Sequence, residues 1–222
     1  MLTERFNVIL HDLGMERLEH PLFYHAPIAI RYEIGEDIPV YLDRAEESER
    51  LTPNPAYVQG AFDRAIAIYQ GLPAAPSILR IDGYPAEETT EDIEDLIAHI
   101  RERTRLPAPL EQVTAVEIDE DDDPCFQVQF YWDLSKISFQ PEYLLREIIL
   151  GDIGGWNGFS SRVFLAGPGP FLYHLYDDRG LDVLGGSREL LRPLYQQYHD
   201  WILEYNLEEI DRLFTTADQP LR

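Results

Sequence analysis

Lysine is nearly missing from this chain of 222 residues: Lys136 is the single one among 18 basic residues, set against 41 aspartates and glutamates. The net charge of −23 excludes the clustered Lys/Arg surface on which direct nucleic-acid binding rests, and it disfavours an anionic membrane surface equally. Cysteine is as scarce. Cys125 stands alone, so no internal disulfide forms and a reducing cytoplasm is the expected setting. Long apolar runs are absent too; "AIAIY" and "EIILG" fall far short of the ~20 residues that cross a bilayer. The opening "MLTERFNVILHDLGMERLEH" has acids on both sides of its apolar part, and it lacks the basic start and cleavage site of a secretory leader.

What the chain does hold is enough apolar material for a core. It is 45% hydrophobic, with 13 Tyr, 10 Phe and 3 Trp, unlike a disordered acidic tail. Residues 2–18 read as a helix, with Leu2, Phe6, Ile9, Leu10 and Leu13 at helical spacing. Residues 28–34 alternate as a half-buried strand does, and 38–42 read as a second, short one. At "PNPAYVQGAFDRAIAIYQGLP" the helix signals are complete: Asn54 as cap, Pro55 in the first turn, and Gly71 with Pro73 at the end. "SILRI" predicts a strand, and 90–103 a helix whose acidic first turn and basic last turn complement its dipole.

Past the linker-like "LPAPL", "EQVTAVEID" and "CFQVQFYW" predict a hairpin, with Phe126, Val128, Phe130 and Trp132 on one face. Pro141 opens a helix to about residue 150. Strands near 162–166, 171–176 and 181–184 follow. Two helices close the chain. The first covers 187–204, with Pro193 its start or a break inside it; the second starts at an Asn206/Glu209 capping box. The expected fold is α+β: a mixed or antiparallel sheet with β-hairpins and packed helices. It is arranged as two closely packed subdomains, 1–106 and 111–222, or as one compact domain.

No cofactor or metal motif is present. "EIDEDDDP" lacks the central glycine and terminal glutamate of a calcium loop. Its five consecutive acids, Asp119, Glu120, Asp121, Asp122 and Asp123, repel one another unless they are solvated or face a cationic partner. They read as an exposed loop and as the foremost candidate surface for a basic protein. "GDIGGWNGFSSRVF" fits neither a dinucleotide loop nor a nucleophile elbow, and "LGGSREL" reads as a helix start capped by Ser187. Acids upstream of Cys125 disfavour a reactive thiolate, and His11, His20, His25, His99 and His199 lack zinc-type spacing.

The densest chemistry is "FLYHLYDDRGLDVLGG". It reads as a hairpin in which an aspartate bonds the turn's amides, Gly180 supplies a left-handed residue, and Arg179 offsets the acids. Arg179 also joins the candidate partner-binding residues. A catalytic or metal-assisted reading of the same stretch would use His174, Asp177, Asp178 and Asp182, although His174 and Asp177 alternate to opposite faces of a regular strand.

This stretch, together with "LRPLYQQYHDWILEYNLEEIDRLF", "PLFYHAPIAIRYEIG" and "AFDRAIAIYQ", resembles a bacterial family known as domain of unknown function 3885. The resemblance spans most of the chain and transfers no catalytic residues. It implies a small cytoplasmic bacterial protein and, by analogy, a toxin-neutralising role. The leading expectation is therefore a non-enzymatic, acidic, immunity-like protein that masks a basic partner such as a nuclease toxin. A metal-assisted hydrolase and a nucleic-acid mimic are the alternatives.

Overall fold

Local chemistry sets most of the element boundaries. The computed structural model describes residues 1–42, 51–85, 89–118, 124–153 and 161–215. Leu2–Asp12 (α1) and the short Leu22–His25 (α2) precede Ala29–Glu33 (β1). Pro55–Gln70 (α3) starts as the caps predict: the Asn54 side chain accepts the Ala56 N–H at 3.1 Å, and Pro55 fills a position that needs no amide hydrogen. After Ile78–Gly83 (β2), the Thr89 hydroxyl oxygen accepts the Asp92 N–H to cap Thr90–Thr104 (α4). The hairpin Glu111–Ile118 (β3) and Pro124–Asp133 (β4) leads to Pro141–Ile153 (α5). Arg162–Gly167 (β5), Phe171–Leu175 (β6) and Gly180–Gly185 (β7) come next, and Arg188–Gln197 (α6) and Glu204–Thr215 (α7) follow them.

All seven strands join one antiparallel sheet in the order β1-β7-β6-β5-β2-β4-β3, and the fold is α+β. The sheet interleaves the two stretches on either side of residues 106–110: β2 sits between β4 and β5, and β1 pairs with β7. Both sheet faces are covered, so strand residues of both parities are buried. On one face α3 packs, with the Tyr173 hydroxyl donating to the Ala65 carbonyl at 3.0 Å. On the other, α1 presses Phe6 edge-on against Tyr131, their centroids 6.0 Å apart. Phe6, Ile30, Phe130, Phe164 and Leu184 are fully buried in this core, each such side chain stabilising the fold by about 1.5–3 kcal/mol.

Several boundaries differ from the sequence reading. α1 stops at Asp12, not 18, because Gly14 adopts a left-handed conformation (φ +78°) tight against the Pro27 ring. Residues 38–42 form no strand; Tyr41 makes one isolated bridge to Pro53. Ser187 caps α6 as expected, its oxygen accepting the Leu190 N–H at 3.2 Å, and Pro193 stays within that helix. The chain then tightens into a single turn, His199–Trp201, before α7. α7 starts at Glu204, so Asn206 is no cap: it is buried, and its Nδ2 donates to the Tyr24 hydroxyl oxygen at 3.4 Å. Gly180 is not left-handed either. It is the first residue of β7, and the Tyr176 hydroxyl occupies the space where a Cβ would project. The acidic run Asp119–Asp123, the charged stretch at 45–50 and the glycine-rich stretch at 154–160 lie outside the described residues.

Candidate functional site

An arginine in the middle of an apolar strand must find a counter-charge, because a lone buried cation is too costly. Arg31 lies between Ile30 and Tyr32 in β1 and is 8% exposed. Strand register sets it opposite Asp182 of β7, which is 1% exposed. The pair is bidentate, with Nε to Oδ1 at 2.8 Å and Nη2 to Oδ2 at 2.9 Å, and the Phe23 N–H also donates to Asp182 at 3.2 Å. Three rings lie around the guanidinium: Phe23, Tyr24 and Tyr176, at 5.2, 5.0 and 5.8 Å. Burial alone would lower the Arg31 pKa; the Asp182 hydrogen bonds and charge outweigh it and raise it.

Asp182 in turn faces His174 of β6. Beyond His174 the imidazole stacks on Phe164 of β5 at 4.6 Å, and Phe164 is registered with Arg80 of β2, Arg80 with Tyr131 of β4, and Tyr131 with Glu111 of β3. One row of side chains thus crosses all seven strands: Arg31, Asp182, His174, Phe164, Arg80, Tyr131 and Glu111. Arg80 closes a second buried ion pair, on Asp82 two residues along its own strand, at 2.6 and 2.7 Å.

His174 is 2% exposed. Burial foremost, with the positive charges of Arg162 and Arg31 adding to it, lowers its pKa to about 4, so the ring is neutral at pH 7. Its Nδ1 lies 2.8 Å from the Val163 carbonyl, which can only accept. The proton is therefore on Nδ1, and Nε2 is an acceptor. His20 lies beside it, ring centroids 5.2 Å apart. His20, Pro21, Leu22, Arg31, His174, Tyr176 and Asp182 line a cavity of about 270 Å³.

The aspartates of the hairpin tip point elsewhere. Asp177 closes the turn, accepting the Arg179 and Gly180 N–H groups at 2.8 and 2.9 Å and pairing with the Arg179 guanidinium at 2.6 Å. Asp178 is 3% exposed and accepts the Tyr57 hydroxyl of α3 at 2.7 Å, on the side away from His174. Burial raises its pKa, partly opposed by that hydrogen bond. The Arg179 carbonyl accepts the Ile34 N–H at 2.7 Å, tying the tip to the chain after β1.

Of the four residues marked for catalysis in the sequence, the structure brings together His174 and Asp182 and separates Asp177 and Asp178 from them. Among the described residues no three His, Cys, Asp or Glu side chains gather as a metal site. Arg179 is largely exposed at the tip, 3.6 Å from Asp152 as well as bonded to Asp177. The sequence reading missed Arg31 and the contact of His20 with His174. For Arg31 a signal existed, since a solitary charge inside "AIRYE" demands a buried partner. For His20 there was none, because its neighbour is distant in sequence.

Among proteins of known sequence, a family model described as a domain of unknown function, DUF3885, matches residues 4–206. The uncharacterized protein YnaE of Bacillus subtilis (strain 168) is 47% identical over 34 residues, which make up 15% of this chain and 16% of that protein. No solved structure matches.

Proposed function

The chain belongs to the DUF3885 family, and from its own residues we propose that it is a non-enzymatic, immunity-like binding protein that masks a basic protein partner. One observation carries this reading: among the described residues the acid excess is not consumed inside the fold. Among the described residues the buried charged set is two arginines and four aspartates, Arg31, Arg80, Asp82, Asp133, Asp178 and Asp182. It accounts for two of the 14 excess negative charges that the described residues carry. Several cations outside the core are also engaged, Arg103 on Glu147 at 3.0 Å and Lys136 on Asp133 at 3.4 Å. A surface of this kind raises a field that steers a basic protein and repels polyanions.

The hairpin tip fits the same reading. Asp177 and Asp178 hold the turn and its contact with α3, a structural use that leaves Arg179 and Asp152 exposed at the surface. The acidic run Asp119–Asp123 supplies the densest negative charge in the sequence. Complementarity of this sort speeds encounter and discriminates against wrong partners more than it adds raw affinity.

The test is co-purification with the protein encoded beside its gene, followed by binding measured across a salt series. The expected result is a complex whose association rate falls by about tenfold or more as salt screens the field. Replacing Asp121, Asp122 and Asp123 by Asn should lower that salt dependence. A complex insensitive to salt, or none at all, overturns the proposal.

A further inference from the structure

A cavity whose walls include side chains nine-tenths buried and charged or polar is a built feature, because such groups are costly to bury without a use. The cavity between the His20–Leu22 segment and strands β1, β6 and β7 has three of them: Arg31, His174 and Asp182, at 8%, 2% and 1% exposure. Each offers a defined chemistry. Arg31 has five N–H donors. Among the described residues it gives two to Asp182, which leaves three for an acceptor. Phe23, Tyr24 and Tyr176 surround the guanidinium at 5.0–5.8 Å, and the N–H groups not used by Asp182 are the ones a ligand would meet. His174 offers the opposite polarity, because Nδ1 donates to Val163 and Nε2 accepts. Pro21, Leu22 and the Tyr176 ring supply apolar wall, and His20 completes the lining.

We propose that this cavity binds a small carboxylic acid carrying a hydroxyl donor on an apolar body, its carboxylate on the free edge of Arg31 and its hydroxyl donating to Nε2 of His174. A guanidinium edge matches a carboxylate better than any neutral acceptor, because both charge and two-point geometry are complementary. The Arg31–Asp182 pair is neutral as a whole, so the buried charges of the cavity do not repel a carboxylate. A ligand with a carboxylate alone would set one acceptor against another at Nε2. The hydroxyl removes that conflict. The site is independent of the acidic partner-binding surface, and either can be absent without the other.

The test uses the full-length protein at pH 7 with 3-hydroxybenzoate, 4-hydroxybenzoate and 4-hydroxyphenylacetate as probes, followed by calorimetry and by the imidazole resonances of His174. At least one should bind saturably and shift those resonances. Benzoate and 4-hydroxybenzamide, lacking the hydroxyl and the charge respectively, should each bind about tenfold more weakly or worse, as expected for one lost hydrogen-bonding group in a buried site. His174→Phe should remove the preference for the hydroxy acid over benzoate. Arg31 cannot be removed alone without stranding Asp182, so the double variant Arg31→Met/Asp182→Leu, which replaces the ion pair by apolar side chains, should stay folded and lose the carboxylate preference. The proposal is overturned if none of the three hydroxy acids moves the His174 resonances, or if the double variant binds them as the native protein does.

Discussion

His174 and Asp182 stand opposite each other across β6 and β7, yet their hydrogen bonds run in opposite directions. Asp182 accepts from Arg31 and the Phe23 amide, while His174 donates to the Val163 carbonyl. An acid–base couple would need the carboxylate on the imidazole. Here the carboxylate is a structural counter-ion, and the imidazole is a neutral ring that donates through Nδ1 to Val163.

The first consequence concerns stability. Asp182→Ala leaves the Arg31 cation buried among aromatic rings with no partner, and it should cost about 3–5 kcal/mol in urea unfolding. Asp177→Ala removes a turn cap and a pair whose arginine is mostly in water, and should cost about 1–2 kcal/mol. If the two variants lose equal stability, the division between a buried ion pair and an exposed tip is mistaken.

The second concerns pH. Burial holds the His174 pKa at about 4, below its ordinary value, so the unfolded chain takes up a proton that the folded chain refuses. Between those two values the unfolded state binds more protons, and stability therefore rises with pH. The contribution is fully present above the ordinary histidine range and is lost as pH falls toward 4. His174→Gln should flatten the stability profile between about pH 4 and 7, by roughly 3 kcal/mol over that span. A variant with the same slope as the native protein would show that other groups set it.

How much of this was legible in the sequence depends on how local the cause is. The start of α3 was readable because Asn54 and Pro55 act within one turn, and the β3–β4 hairpin because Phe126, Val128 and Phe130 alternate with Gln127 and Gln129. The row from Arg31 to Glu111 was not, since it depends on pairings such as β1 with β7 and β2 with β5, which no short-range pattern specifies. Gly180 shows a subtler limit. A left-handed turn and an overlying ring both demand glycine, and only the position of Tyr176 tells them apart.

That distinction makes a third prediction. Gly180→Ala should destabilise by about 1–3 kcal/mol, because its Cβ overpacks against Tyr176 and not because of backbone strain. In a Tyr176→Ala background the same change should cost much less, so the double-mutant cycle should show a coupling of about 1 kcal/mol or more. Equal costs in the two backgrounds would restore a backbone origin.

The last prediction separates the hairpin's structural role from a catalytic one. Tyr57 of α3 donates to the buried Asp178 carboxylate, and the Arg179 carbonyl holds the Ile34 amide. Tyr57→Phe removes the donor and leaves that carboxylate in a buried site with one partner fewer, at a cost of about 1–3 kcal/mol. Burial already raises the Asp178 pKa while the hydroxyl works against it, so Tyr57→Phe should raise it further. An acid whose folded pKa lies above its unfolded value is protonated more readily in the fold, so the penalty is largest at neutral pH and shrinks as pH falls. Urea titrations of Tyr57→Phe at pH 7 and near pH 4 measure this directly. A penalty that stays constant, or grows in acid, would mean that the carboxylate is already neutral or that the hydroxyl serves packing alone.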